Sequence, residues 1–246
     1  MDPGGRQGAD LLENSPKPGS AGVRLDQYVR WRQTSLGRIT EQLEQDLVFR
    51  LAGDVSDRHV LDVGCGDGTY ALGAACRGAR AVGVDLSREM ILAARRRAQE
   101  LGVEAALLGA DAGNLPFRDR AFQRVLAVTV LCFVRDPARV IREMARVLEP
   151  GGMLIVGDLG RWSSWAAWRK VRGWLGSRTW RGVRFQSEAE LRKLIEANGF
   201  RVNEVGSAVY YPPTGWMAQA IRAIDPLFGR ISTLGAAFIA VRAQAS

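Results

Sequence analysis

Three glycines on alternate positions, Gly64, Gly66 and Gly68, interrupt the stretch His59–Leu86, HVLDVGCGDGTYALGAACRGARAVGVDL. Asp62 precedes them, Asp67 lies among them and Asp85 follows. An apolar run (Val60, Leu61, Val63) stops at the glycines, a helical pattern begins at Thr69, and a second apolar run, Ala81–Val84, closes on Asp85. Glycine allows the tight turn and a close approach of backbone to ligand, with amide groups left free at the helix start. An acid ending the second strand is placed to accept hydrogen bonds from a pair of ribose hydroxyls. A nucleoside-containing ligand suits this combination.

The spacing narrows the choice. A dinucleotide fingerprint needs G-x-G-x-x-G, whereas here the third glycine position falls on Thr69. Asp67 inside the loop would repel a pyrophosphate and favour a positively charged ligand.

The elements that must hold these residues alternate in type. Ser87 is an N-cap for a helix running to about Leu101, with Gly102 as its stop. A short strand, Ala105–Leu108, leads to Asp111-Ala112, and Leu115-Pro116-Phe117 leads to a fourth strand, Arg124–Val128. Asp136-Pro137 opens a helix to about Leu148, and Glu149-Pro150-Gly151-Gly152 launches a fifth strand, Met153–Asp158. Ser187-x-x-Glu190 is a capping box for a helix to Asn198, stopped by Gly199. Two strand-like runs, Arg201–Ser207 and Ala236–Arg242, close the chain without a clear crossover helix between them. Such alternation predicts a mostly parallel sheet with one antiparallel member. Before the first strand, Ile39, Leu43, Leu47 and Leu51 recur every four residues and predict a helix over about Ile39–Leu51.

LDVGCGDGT, followed by GVDLSREMI, resembles the class I S-adenosylmethionine-dependent methyltransferases, in particular the methyltransferase type 11 group related to ubiquinone and menaquinone biosynthesis. ARVLEPGGMLIVGD is a second and more specific match, and the resemblance runs from about Tyr28 to Arg242. It implies a Rossmann-like, doubly wound α/β fold with a mostly parallel seven-stranded sheet, one antiparallel strand and a helical cap insert after strand 5. It implies S-adenosyl-L-methionine as cofactor, held by Asp62, Gly64, Gly66, Gly68, Asp85, Leu86, Met90, Asp111, Ala112 and Val128. Asp111 and Ala112 would meet the adenine, a carboxylate accepting from the exocyclic NH2 and a small neighbour leaving room for the ring. One departure is Phe122-Gln123, where the family usually has Phe-Asp.

Size and composition agree with one domain. The 246 residues are 47% hydrophobic, and no run approaches the roughly 20 apolar residues of a membrane span. Residues 1–22 read as a disordered leader and 23–246 as one methyltransferase domain. The N-terminus lacks a charged-then-apolar signal pattern, which points to a cytoplasmic protein. Cys65, Cys76 and Cys132 fit no C-x-x-C spacing and read as reduced structural thiols, so no metal is expected. No catalytic residue is assigned. His59, the only histidine, begins the first strand, away from the ligand edge.

The net charge of +8 is concentrated. Arg161–Arg184 holds seven basic residues (Arg161, Arg169, Lys170, Arg172, Arg178, Arg181, Arg184), no acid, and five of the seven tryptophans. If Ser163–Leu175 is helical, Trp165, Trp168, Val171 and Leu175 share a broad face with Arg169 and Lys170 mostly opposite. Three readings follow: a cap over the acceptor pocket, a peripheral membrane-surface helix, or a nucleic-acid contact. Nucleic acid ranks last, because neither the Pro-Pro-aromatic motif of DNA amino-methylating enzymes nor an RNA-binding module is present. Substrate contacts are expected from Tyr28, Trp31, Cys132, Arg161, Trp165 and Tyr210.

The expected activity is methyl transfer to a small, lipophilic acceptor: a quinone-like ring, a lipid or a secondary metabolite. The alternatives are an RNA or protein methyltransferase working through the basic patch, and a non-catalytic methyltransferase-like binding domain.

Overall fold

The computed structural model describes residues 25–177 and 179–245. The leader 1–22 and Arg178 therefore lie outside the described residues. In chain order the elements are α1 (Leu25–Gln33), α2 (Ser35–Ala52), β1 (His59–Val63), α3 (Thr69–Ala75), β2 (Arg80–Asp85), α4 (Arg88–Leu101), β3 (Ala106–Gly109) and β4 (Phe122–Val128). There follow α5 (Pro137–Val147), β5 (Leu148–Leu159), α6 (Ser164–Trp174), α7 (Glu188–Glu196), β6 (Phe200–Ala208), α8 (Gly215–Ile221), α9 (Asp225–Ile231) and β7 (Phe238–Ala245).

The strands form one seven-stranded sheet in the order β3-β2-β1-β4-β5-β7-β6. The first five are parallel, and β7 runs antiparallel to both β5 and β6. Consecutive strand residues are buried on opposite faces, so helices must cover both. Val60, Leu126 and Ile155 pack with Leu47, Val48 and Leu51 of α2. Leu61, Val125 and Leu154 pack with Ile141 and Met144 of α5 and Leu191 of α7. That double burial is why the parallel strands read as nearly unbroken apolar runs. The chain order reverses at β1, between β2 and β4, and the carboxyl edge at such a reversal is where open α/β sheets bind ligands.

Local signals for the helices mostly act as expected. Ser87 Oγ accepts from the Met90 amide, Gly102 adopts a left-handed φ of 65°, Asp136 caps α5 with Pro137 at its first turn, and Ser187 and Glu190 form both halves of the capping box. The departure at Gln123 keeps its bonding: its Oε1 accepts from the His59 amide at 2.7 Å, and its Nε2 donates to Glu149. Among the described residues no helix is long and apolar enough to cross a membrane.

Three expectations need correction. The helix before β1 starts at Ser35 rather than near Ile39, because Thr34 supplies an N-cap to the Gly37 amide. Two short helices, α8 and α9, connect β6 to β7; at seven residues each they carry too little periodicity to be seen. The face of α6 is also different. Its buried residues are Trp165, Ala166 and Arg169, while Trp168 and Val171 are exposed and Trp174 and Leu175 are 84% and 82% exposed. An arginine, rather than the full tryptophan row, turns inward.

Candidate functional site

The glycine turn lies at the carboxyl end of β1, and all three glycines have positive φ: 69° at Gly64, 55° at Gly66 and 86° at Gly68. At Gly64 the reason is also steric, since a Cβ there would come within 2.3 Å of Val130 Cγ2. Gly66 differs: a Cβ built on it would meet nothing within 4 Å. Its outer side faces open space while its amide donates to Asp85 Oδ2 at 2.9 Å.

Asp85 ends β2, and its Oδ1 accepts from the Ser87 amide at 2.8 Å. Burial raises its pKa and the two amides pull it back, so the carboxylate is half-buried and rigidly aimed with lone pairs to spare. Leu86 is exposed and Met90 half-buried beyond it. Asp111 lies past β3, is exposed, and accepts from the Gly113 amide at 2.9 Å; Ala112 is half-buried beside it. Val128 is buried at the end of β4, followed by Thr129 with a left-handed φ of 54°.

Asp62 and Asp67 are not open to a ligand. Asp62 is buried and accepts from the Ala71 amide at 2.9 Å, tying β1 to α3; burial pushes its pKa up to about 7. Asp67 is 2% exposed and is claimed by two arginines: Arg32 of α1 donates to it, and Arg97 of α4 lies 3.1 Å away. Arg32 also donates to Glu41 at 3.0 Å, and Thr69 Oγ1 reaches Glu41 at 3.2 Å. Through Arg32, α1 is strapped to the glycine turn, and it carries Tyr28 stacked on Trp31 with ring centroids 5.9 Å apart.

On the acceptor side the structure gathers some expected residues and disperses others. Trp165 is buried, and its Nε1 donates to the Tyr211 carbonyl at 2.8 Å. Cys132 is buried against Leu159, Ala166 and Phe185, and burial drives its thiol pKa well up, which favours the neutral thiol over the thiolate. Arg161 is committed to Glu190 at 2.7 Å and to the Phe185 carbonyl. Tyr210 bonds Ser207 and the Ser232 carbonyl and packs on Phe228. Its neighbour Tyr211 turns inward instead, fully buried, with its hydroxyl 3.0 Å from Thr40 Oγ1. The turn that swaps them places Val209 at a φ of 69°, held because Asp225 accepts from both the Val209 and Tyr210 amides.

Four polar side chains at this site carry no local motif. Glu44 is a half-buried residue of α2, and desolvation of its carboxyl raises its pKa to about 7. Asp158, at the end of β5, is raised to about 6 for the same reason and accepts from Gln186 Nε2 at 2.7 Å. Arg169 and Tyr211 complete the group. Their only sequence signal is position: an acid on the buried side of α2, an acid closing a parallel strand, an arginine in a tryptophan-rich helix and the second of two tyrosines.

Comparison with known proteins decides the family. A model described as a methyltransferase domain matches residues 61–156. A ubiquinone biosynthesis O-methyltransferase of Idiomarina loihiensis is 30% identical over 166 residues, which cover 65% of this chain and 68% of that relative. The chain belongs to the S-adenosylmethionine-dependent methyltransferases. An uncharacterized protein of Mycobacterium tuberculosis (strain ATCC 25618 / H37Rv) is 35% identical over 198 residues, 80% of this chain and 66% of the relative, so the chain spans about two thirds of its length. A Thermotoga maritima S-adenosylmethionine-dependent methyltransferase, described as a possible histamine N-methyltransferase, superposes with a TM-score of 0.70 at 27% identity, covering 90% of this chain and 96% of that one.

The methyltransferase cofactor fits the residues present. The backbone of Gly66 faces open space, which leaves room for a ligand to approach it closely, and the fixed Asp85 carboxylate beside it suits a ribose diol. S-adenosyl-L-methionine is the cofactor of the family. Among the described residues no group of three or more His, Cys, Asp or Glu side chains could hold a metal ion.

Proposed function

We propose that this chain transfers the methyl group of S-adenosyl-L-methionine to a small, lipophilic acceptor such as a quinone-like ring, a lipid or a secondary metabolite. The observation that carries the reading is the open face of Gly66 backed by the doubly anchored Asp85, with the Tyr28–Trp31 stack of α1 tied to the same turn through Arg32. The name of the Idiomarina relative supports an acceptor of quinone type.

S-adenosylmethionine supplies a methyl already activated by its sulfonium, so the residues of the chain bind, orient and exclude water rather than provide a nucleophile. Gly64, Gly66 and Gly68 bring backbone close to the methionine part. Asp85 holds the ribose hydroxyls, with Leu86 and Met90 beside it. Asp111 and Ala112 take the adenine edge, and Val128 closes the floor. Asp62 and Asp67 act indirectly, by fixing the turn. Tyr28 and Trp31 close the donor side through the Arg32–Asp67 strap, and Trp165 and Cys132 wall the acceptor side. Glu44 is the candidate proton acceptor for a hydroxyl or amine acceptor, since a carboxyl titrating near neutrality suits that task.

Calorimetry with S-adenosylmethionine tests the reading. Wild type is expected to bind and Asp85→Ala to lose at least about tenfold in affinity, the scale of a charge-assisted hydrogen bond. Absence of binding by wild type would sink it. Labelled cofactor with cell extract, followed by mass spectrometry of the product, then identifies the acceptor.

A second reading concerns where the acceptor is met. Trp168, Trp174 and Leu175 are exposed beside Arg172, which lies over the Trp168 ring, the composition of an interfacial contact. Flotation with anionic vesicles tests whether this face touches lipid. An RNA or protein substrate is less well supported, because the basic segment is partly spent: Arg161 pairs with Glu190, Arg184 donates to the Val134 and Arg135 carbonyls, and Arg169 is buried.

A further inference from the structure

Arg169 is the anomaly of the cap. It is only 9% exposed, and its Nε is buried without an acceptor. Among the described residues its guanidinium makes no hydrogen bond or ion pair; its contacts are with rings, lying 4.9 Å from the centroid of Trp165 and 4.7 Å from that of Trp180. Burial pulls its pKa down to about 10, with Glu44 and Cys132 the groups that oppose the shift. A buried charge without hydrogen-bond partners is unfavourable to the fold, and two ring contacts offset only part of that. The desolvated, acceptor-free Nε, in a guanidinium lying over two indoles, is arranged for an anion that arrives later.

Its placement connects it to the donor side. Glu44 and Glu41 lie one turn apart on α2. Glu41 faces the glycine turn through Arg32 and Thr69, while Glu44 interacts with Arg169. Cys132, four residues beyond the end of β4, also interacts with Arg169. Cys132 follows the carboxyl end of β4, so the guanidinium lies toward that edge of the sheet, on the face of α2 that carries Glu41 and Glu44.

Resting on the methyltransferase reading above, we propose that Arg169 is the specificity-determining residue for the acceptor, receiving a planar oxyanion, either a carboxylate or an ionised ring hydroxyl, beside Trp165 and Trp180. The guanidinium lies over both indole rings, and its planar fork suits a two-point contact with a planar anion. Among the described residues Glu44 makes no ion pair with Arg169, which leaves the guanidinium for the incoming anion.

The test uses the full chain saturated with S-adenosylhomocysteine, tryptophan fluorescence, and two probe pairs. Methyl 3,4-dihydroxybenzoate against 3,4-dihydroxybenzoate isolates a carboxylate, and catechol against 4-nitrocatechol isolates an ionised hydroxyl. Wild type is expected to bind the anionic member of one pair at least tenfold more tightly, and that pair names the source. Arg169→Met should abolish the preference while leaving affinity for the neutral member and for S-adenosylhomocysteine within twofold, and its melting temperature should stay level or rise. Should that variant not fold, Arg169→Lys carries the same test, with the preference expected to fall at least threefold. No anion preference in wild type, or an unchanged preference in either variant, would overturn the assignment. Calorimetry with S-adenosylhomocysteine is scored separately: a chain that does not bind it overturns the methyltransferase reading, whereas one that binds it without anion preference overturns only the role of Arg169.

Discussion

Arg32 of α1 donates to Asp67 of the glycine turn, 35 residues away, and so fastens the first described helix to the loop that would face the cofactor. Asp67 is held on its other side by Arg97 of α4. The pair therefore positions α1 and keeps the turn in shape at the same time.

Breaking it should affect stability and binding together. Asp67→Asn leaves two arginines facing a neutral amide and is expected to cost about 3 kcal/mol, the lower end for a buried pair deprived of one partner. Arg32→Ala should cost less, because Arg97 still compensates Asp67, yet it should weaken S-adenosylmethionine binding by freeing α1. Urea denaturation and calorimetry on both variants check this; wild-type affinity in Arg32→Ala would show that α1 does not act as a strap.

The glycines should separate by what lies in front of them. Gly64→Ala drives a methyl into Val130 at a positive φ and is expected to destabilise the fold by about 3 kcal/mol from overpacking and backbone strain. Val130→Ala in the same chain should restore part of that. Gly66→Ala meets no protein atom and should cost only about 1 kcal/mol of strain, but lose at least about tenfold in cofactor affinity. Equal losses of stability in the two variants would contradict the open cradle.

Asp62 makes the fold less stable as pH rises. Its pKa is raised from 3.8 to about 7 by burial, so the folded state holds a proton that the unfolded chain releases. Below pH 4 the group carries no penalty; between about pH 4 and 7 stability falls, to a total on the order of a few kcal/mol above pH 7. Glu44 and Asp158 are raised in the same direction and add to the slope. Asp62→Asn, which keeps an oxygen for the Ala71 amide, is expected to flatten the slope and to match or exceed wild type at pH 8. Denaturation midpoints between pH 5 and 8 measure it; an unchanged slope would mean that Asp62 ionises normally.

The thiols should react singly. Cys76 is exposed, whereas Cys65 and Cys132 are buried with pKa values pushed up by burial. Iodoacetamide under native conditions is expected to label Cys76 alone, read by peptide mass spectrometry, and Cys132→Ser should leave cofactor binding unchanged.

What the sequence determines by itself is local and periodic. The turn at Gly64–Gly68, the acid ending β2, the caps at Ser87, Asp136 and Ser187, and the alternation of strands with helices are written in residues a few positions apart, where backbone sterics and hydrogen-bond spacing act directly. The donor half of the site follows from these, and with it the family. The tertiary structure decides which side chains meet across the sheet edge. Periodicity set Arg169 mostly opposite the broad tryptophan face of α6, yet burial depends on what α2 and the turns after β4 and β5 offer to that helix. They offer Glu44, Cys132 and Trp180, and so Arg169 points in while Trp168 and Trp174 point out. In the same way, Asp225 decides between Tyr210 and Tyr211 by holding the two amides of a strained turn. Such choices pair residues far apart in the chain, and no spacing within one segment encodes them.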